Sequence, residues 1–279
     1  MRCRLILATA MLLFSGAGLA NAAPPTPYYL ALGDSLALGV QPDPTNGVLG
    51  PTTKGYVNDL YALYRLRHPN LALKQLGCSG ETTTTMLNGG KCAYDFGTQL
   101  DEAAEFIRTH RVVLITLSIG GDNVLGCFDL PTFEVDGLCV AQGLAAIEPE
   151  LAEILSILRG AAGRRVPIVG MNYYDPFLAA STLPGGEDLA AQSLVLTLDM
   201  NTRLLTAYSA FQVPVADVAR AFRIEDDREV SAYNLPLNVL LEFAWTWVGA
   251  PPPVGPDIHP NATGYAIIAG AFVKAIGSS

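Results

Sequence analysis

Five short apolar runs recur along the chain, separated by longer stretches whose apolar residues are spaced by three and four. The runs are YYLALG at 28, LALKQL at 71, VVLITLSIG at 112, VPIVGMNYY at 166 and VPVADV at 213. A strand with one wet face alternates apolar and polar residues. These runs are nearly continuous, the pattern of parallel strands covered on both faces. Helical periodicity in YVNDLYALYRLRHP, QLDEAAEFIRTHR, LAAIEPELAEILSILRGAAG, LAAQSLVLTLDMNTRLLTAYSAF and ATGYAIIAGAFVKAI supplies the covering layers. The alternation predicts one doubly wound α/β domain, a three-layer α/β/α sandwich on a five-stranded parallel sheet. Ligands of such sheets sit beyond the carboxyl ends of the strands.

The start of the chain is excluded from that domain. Residues 1–22 contain Arg2 and Arg4, then an uncharged apolar stretch, then Ala20-Asn21-Ala22. This is the composition of a secretory signal peptide cut after Ala22, leaving 23–279 as the mature domain. A membrane anchor is the competing reading, but the apolar part is short, interrupted by glycine and followed by proline rather than by a basic stop. No stable membrane insertion is expected after cleavage. Loss of the two arginines lowers the 17 basic residues to 15 against 26 acidic ones. That balance argues against nucleic acid as a partner and disfavours anionic substrates at long range, with solubility of an exported chain as the plainer reading.

Four cysteines follow the leader: Cys78, Cys92, Cys127 and Cys139. An even number in an exported chain predicts disulfides, with three possible connectivities. Pairing in sequence order would close two short loops. Zinc is the alternative, but no C-x-x-C is present and the histidines are remote in sequence.

Three long segments break the helix and strand rhythm, at 39–55, 123–139 and 224–256. Long loops in a compact domain tend to be functional. Four features fall where strand ends should be: Ser35 in YLALGDSL, Gly80 in GCSGET, the run SIGGDNV at 118–124, and His259 in PDIHPNATGY. Each has a plain reading as turn, joint or cap. Their convergence on one sheet edge points instead to a site. A serine nucleophile needs a base, and the chain offers only His68, His110 and His259. His68 and His110 end basic helical stretches, where a cation suits a helix C-terminus. His259 precedes Pro260 and the start of the last helix, which makes it the candidate base.

These four blocks resemble the GDSL, or SGNH, hydrolase superfamily, and LGCSGETTTTML with its cysteines is similar to the secreted bacterial esterase and lipase branch. The resemblance implies a flavodoxin-like sandwich without the G-x-S-x-G elbow of the larger α/β-hydrolases. It also implies that Ser35 attacks a carboxylic ester, that His259 takes its proton, and that Ser35 N–H, Gly80 N–H and an asparagine side chain receive the oxyanion. No cofactor or metal is called for. The expected partner is a small-molecule, lipid or glycan ester, met by a monomer outside the cell. Deacetylation of a polysaccharide and non-catalytic binding of lipid or carbohydrate are the alternatives.

Two positions depart from the family pattern. The third block usually reads Gly-x-Asn-Asp, whereas this chain has Gly120-Gly121-Asp122-Asn123. In strict register the oxyanion would meet Asp122, which cannot donate when ionised. A shift of one residue would let Asn123 supply the donor, and that is the expectation. The acid usually lies three residues before the histidine, but Asp257 lies two before His259. Either Asp257 or the Pro256 carbonyl must then orient the imidazole. Asp34 is read as a structural partner of the turn. Phe243, Trp245 and Trp247 are candidates for the wall of an acyl groove, with core packing as the plainer role.

Overall fold

The computed structural model describes residues 25–129, 132 and 134–277. The signal peptide expected over residues 1–22 lies outside the described residues. Five parallel strands form the central sheet: β1 (Pro27–Gly33), β2 (Ala72–Gln75), β3 (Arg111–Ser118), β4 (Ile168–Met171) and β5 (Val215–Ala216), in the spatial order β2-β1-β3-β4-β5. Every predicted apolar run contributes one of these strands. The order reverses beside β1, and the crevice at such a reversal is where doubly wound sheets bind ligands.

Helices cover both faces. On one side pack α3 (Gln99–Thr109), α5 (Gly137–Ala162) and α6 (Glu187–Ala210), with the short α2 (Thr83–Asn88) and α4 (Asp122–Leu125) against α5. On the other, α1 (Tyr56–Arg65) packs on α9 (Ala262–Gly277), flanked by α7 (Val218–Phe222) and α8 (Leu237–Trp245). The Tyr56 ring stacks on Phe272, joining α1 to α9. The core between the layers includes Leu30, Leu32, Leu114, Ile115 and Leu117, all essentially inaccessible. Unbroken burial over residues 29–33 of β1 and 114–118 of β3 is the physical reason these stretches lack polar alternation.

Two segments differ from expectation. The helix anticipated from Leu144 begins at Gly137, because Asp136 accepts hydrogen bonds from the N–H groups of Leu138 and Cys139 and caps a turn that its glycines obscure. The third long loop contains α8, followed by an antiparallel pair of short strands, Thr246–Trp247 and Asp257–Pro260. Two disulfides join Cys78 to Cys92 and Cys127 to Cys139, with Cα separations of 6.2 and 5.6 Å. No helix of the described residues is long and apolar enough to cross a membrane.

The end of β1 is over-determined. Gly33 adopts φ +127°, and a Cβ there would lie 1.8 Å from the Ser118 carbonyl oxygen of β3. Gln99, buried at the start of α3, clasps the same residue: Gly33 N–H donates to Gln99 Oε1 at 2.6 Å, and Gln99 Nε2 donates to the Gly33 carbonyl at 3.0 Å. Gly33→Ala should therefore lower the unfolding free energy by about 3 kcal/mol, from strained backbone and a backbone clash together. A drop in the urea midpoint checks this; an unchanged midpoint would show that β1 and β3 can separate at no cost.

Candidate active site

The chain leaves β1 through a tight turn. Asp34 N–H donates to Ser118 O at 2.9 Å, and Val40 N–H returns to Ser35 O at 3.1 Å. The buried Asp34 carboxylate organises this turn, accepting from Leu36 N–H at 2.9 Å, Ser118 Oγ at 3.0 Å and the Tyr173 hydroxyl at 2.5 Å. Ser35 thus stands half-buried at the carboxyl edge of the sheet. Its Oγ lies 3.0 Å from His259 Nε2.

His259 is delivered by the short strand before α9. Asn261 caps that helix through the N–H groups of Thr263 and Gly264 and ties it to the Ala244 and Thr246 carbonyls. Tyr174 donates its hydroxyl to Ile258 O at 2.7 Å and fixes the strand from the side. Asp257 Oδ1 lies 3.0 Å from His259 Nδ1 and accepts the His259 backbone N–H at 3.0 Å. The carboxylate is therefore the group oriented on the ring, and among the described residues the Pro256 carbonyl makes no hydrogen bond to it. A serine, an imidazole and an acid in this chain of contacts can move a proton off the hydroxyl while holding one tautomer. His110 stacks on Phe106 at the end of α3, far from this chemistry in role.

Gly80 takes φ +77°, and its space is closed by the Lys91 side chain, 2.6 Å from where a Cβ would be. Its loop is tied to β1 by Cys78 N–H donating to Gly33 O at 2.9 Å, and to α3 by Gln99 Nε2 donating to Glu81 at 3.0 Å. Thr82 caps α2. Among the described residues, neither Ser35 N–H nor Gly80 N–H has an acceptor within the protein, so both are free to donate.

The third block corrects the sequence expectation. Asn123 Oδ1 accepts Thr83 N–H at 2.9 Å, and its Nδ2 donates to Thr83 Oγ1 at 2.7 Å. Its amide is consumed in clamping α4 to α2. Asp122, one residue earlier and about 100° around the helical turn, lines the pocket with Ser35 and His259. The register is thus the strict one. Gly143 makes this seat possible, since a Cβ there would fall 2.0 Å from Asn123 O.

Burial raises Asp34 to about 6 against the opposing pull of Tyr173, Leu36 N–H and Ser118. Burial first, and the Asp34 charge second, push Asp122 up to about 7, while His259 and Lys91 act to lower it. The pocket beside them is mostly apolar, walled by Leu36, Val124, Phe128, Phe177, Leu196 and Met200.

Phe243, Trp245 and Trp247 do not line this pocket. Because their segment folds as α8, Phe243 and Trp245 are turned onto the core. Trp245 meets Phe222 edge-on at 5.3 Å, and Phe222 stacks on the pocket residue Tyr174 at 4.5 Å, so its contact with the site is indirect. Trp247 sits on the strand that pairs with the one bearing His259. Sequence reasoning missed Tyr173 and Tyr174, although the predicted fourth run ended on them at the ligand-binding edge. It also missed Leu196 and Met200, which α6 brings in from a part of the sequence remote from Ser35 and which no local pattern marks.

Comparison with solved structures agrees with this fold. The chain is similar to an extracellular lipase from Streptomyces rimosus, with 21% identity, a TM-score of 0.61, and coverage of 89% of this chain and 99% of that one. It is similar also to phospholipase A1 from Streptomyces albidoflavus NA297, with 20% identity, a TM-score of 0.54, and coverage of 90% and 98%. A third similarity is to Est24, a carbohydrate acetylesterase from Sinorhizobium meliloti, at 12% identity and a TM-score of 0.52, covering 90% and 98%. Comparison with curated protein sequences gave no significant match. The family model for GDSL-like lipases and acylhydrolases matches residues 31–267, so the chain belongs to the GDSL-like lipase/acylhydrolase family.

Proposed function

We propose that this protein is an exported serine hydrolase that cleaves carboxylic esters through an acyl-enzyme on Ser35. The observation that carries the reading is the hydrogen-bonded series from Ser35 Oγ to His259 to Asp257, opening on an apolar pocket. Ser35 Oγ attacks the ester carbonyl carbon, and its proton passes to His259 Nε2. The Asp257 carboxylate stabilises the imidazolium so formed. The carbonyl oxygen, now negative, meets the unengaged N–H groups of Ser35 and Gly80. Collapse of the tetrahedral species expels the alcohol, which leaves with the proton from His259. Water, deprotonated by the same histidine, then releases the acid. Two disulfides and the leader-like first 22 residues support an extracellular setting, because disulfides persist in oxidising compartments.

The apolar walls favour an acyl chain longer than acetyl, and so favour lipid-like esters over an acetylated polysaccharide. The same walls would suit a non-catalytic lipid-binding protein. The contact between Ser35 and His259 favours turnover.

Ser35→Ala should abolish hydrolysis of p-nitrophenyl esters by at least about 10⁴-fold, and a fluorophosphonate should label the wild type at Ser35. Wild-type rates from the alanine variant, or no labelling of pure folded protein, would reject the reading. Asp257→Asn should lower kcat by about 10²-fold or more while leaving KM little changed; near-normal turnover would leave Ser35 and His259 acting as a dyad. Leu196→Trp should reduce octanoate hydrolysis at least tenfold more than acetate hydrolysis. Equal losses on both esters would show that the acyl group lies elsewhere.

A further inference from the structure

We propose that Asp122 works as a neutral carboxylic acid whose O–H donates a hydrogen bond to the ester oxygen that becomes negative when Ser35 attacks. The inference rests on the ester-hydrolysis reading above and adds the third donor that reading lacks. Asn123, the one amide in the block, is committed to Thr83 by two hydrogen bonds and turns away from the pocket. Asp122 lines the pocket together with Ser35 and His259. Among the described residues its carboxyl receives no hydrogen bond, whereas the neighbouring Asp34 receives three. Two carboxyls that share a low-dielectric site cannot both ionise cheaply. The donors around Asp34 fix the charge there and leave the proton on Asp122.

The groups that face Asp122 act in both directions. Asp34 at the end of β1 and Glu81 beside Gly80 favour the protonated form; His259, and Lys91 between α2 and α3, favour the ionised one. The hydroxyls of Tyr173 and Tyr174, beyond β4, stay un-ionised and add no charge. Burial is the largest influence on Asp122, and an acyl chain seated against Leu36, Phe128 and Met200 would exclude more water and reinforce it. A carboxylic acid kept neutral by its surroundings is a competent oxyanion donor.

The proton accounting is simple. When Ser35 Oγ bonds to the carbonyl carbon, the π pair moves to the oxygen and the serine proton moves to His259. Asp122 keeps its own proton and only shares it in a hydrogen bond. On collapse the pair returns and the alcohol takes the proton from His259. An ionised Asp122 would instead repel the charge that forms, so the rate should fall as Asp122 loses its proton.

The test is the pH dependence of kcat on a short acyl ester, measured for wild type, Asp122→Asn and Asp122→Ala, with the rate of phosphonylation of Ser35 by a fluorophosphonate followed in parallel. The wild type should show an alkaline decline of about tenfold per pH unit once Asp122 has ionised. Asp122→Asn, whose amide donates at any pH, should stay active and lose that decline. Asp122→Ala should be slower by about 10²- to 10³-fold than the wild type below the decline, and should lack the decline itself. A wild-type kcat flat to pH 9.5 would overturn the proposal without any variant. So would Asp122→Asn being as slow as Asp122→Ala, or Asp122→Ala turning over at the wild-type rate. Failure of the underlying reading looks different: Ser35 would resist phosphonylation in all three proteins at every pH.

Discussion

The buried carboxylate of Asp34 is the interaction on which this site depends. It holds the turn after β1 by taking Leu36 N–H, the Ser118 hydroxyl of β3 and the Tyr173 hydroxyl beyond β4. One side chain thereby registers three strand ends against one another, at the edge where the sheet order reverses. Ser35, the next residue, inherits its position from that lock. A buried charge is costly unless its hydrogen bonds are complete, and the three donors answer that cost. Gly33 and Gln99 complete the lock from below, because β3 comes too close at this point for any side chain on Gly33.

The second organising device is the seating of α4. Gly143 lets the Asn123 carbonyl rest on α5, the Asn123 amide grips Thr83, and Thr83 Oγ1 reaches Glu150 on α5 at 2.5 Å. The disulfide from Cys127 to Cys139 closes the segment after α4 onto the first turn of α5. With the element pinned from three directions, its side chains have no freedom to exchange places. Asp122 therefore remains toward Ser35 and Asn123 toward α2.

Much of this was legible in the sequence because it is carried by local pattern. The five strands announced themselves as apolar runs, since burial on both faces leaves no polar alternation. Ser35, Gly80 and His259 were legible because strand ends share one edge, and because His68 and His110 had simpler places at helix ends. What escaped reading depended on rotation or on distance. The choice between Asp122 and Asn123 turns on 100° of a four-residue helix, which composition does not encode. The aromatic residues 243–247 looked like a groove wall because α8 has no side-chain cap to announce it, and as a helix it aims Phe243 and Trp245 at the core. Leu196 and Met200 join the pocket through the packing of α6, some 160 residues from Ser35 in sequence.

Together the two devices turn Asp122, and not Asn123, toward the oxygen that attack by Ser35 would make negative. A crystal structure of the Ser35 phosphonate adduct at neutral pH reads this directly. The phosphoryl oxygen should lie within hydrogen-bond distance, roughly 2.5–3.1 Å, of an Asp122 carboxyl oxygen and of the Ser35 and Gly80 backbone nitrogens, with the Asn123 amide still on Thr83. An adduct whose phosphoryl oxygen is held by the Asn123 amide, with Asp122 turned out of the pocket, would contradict it.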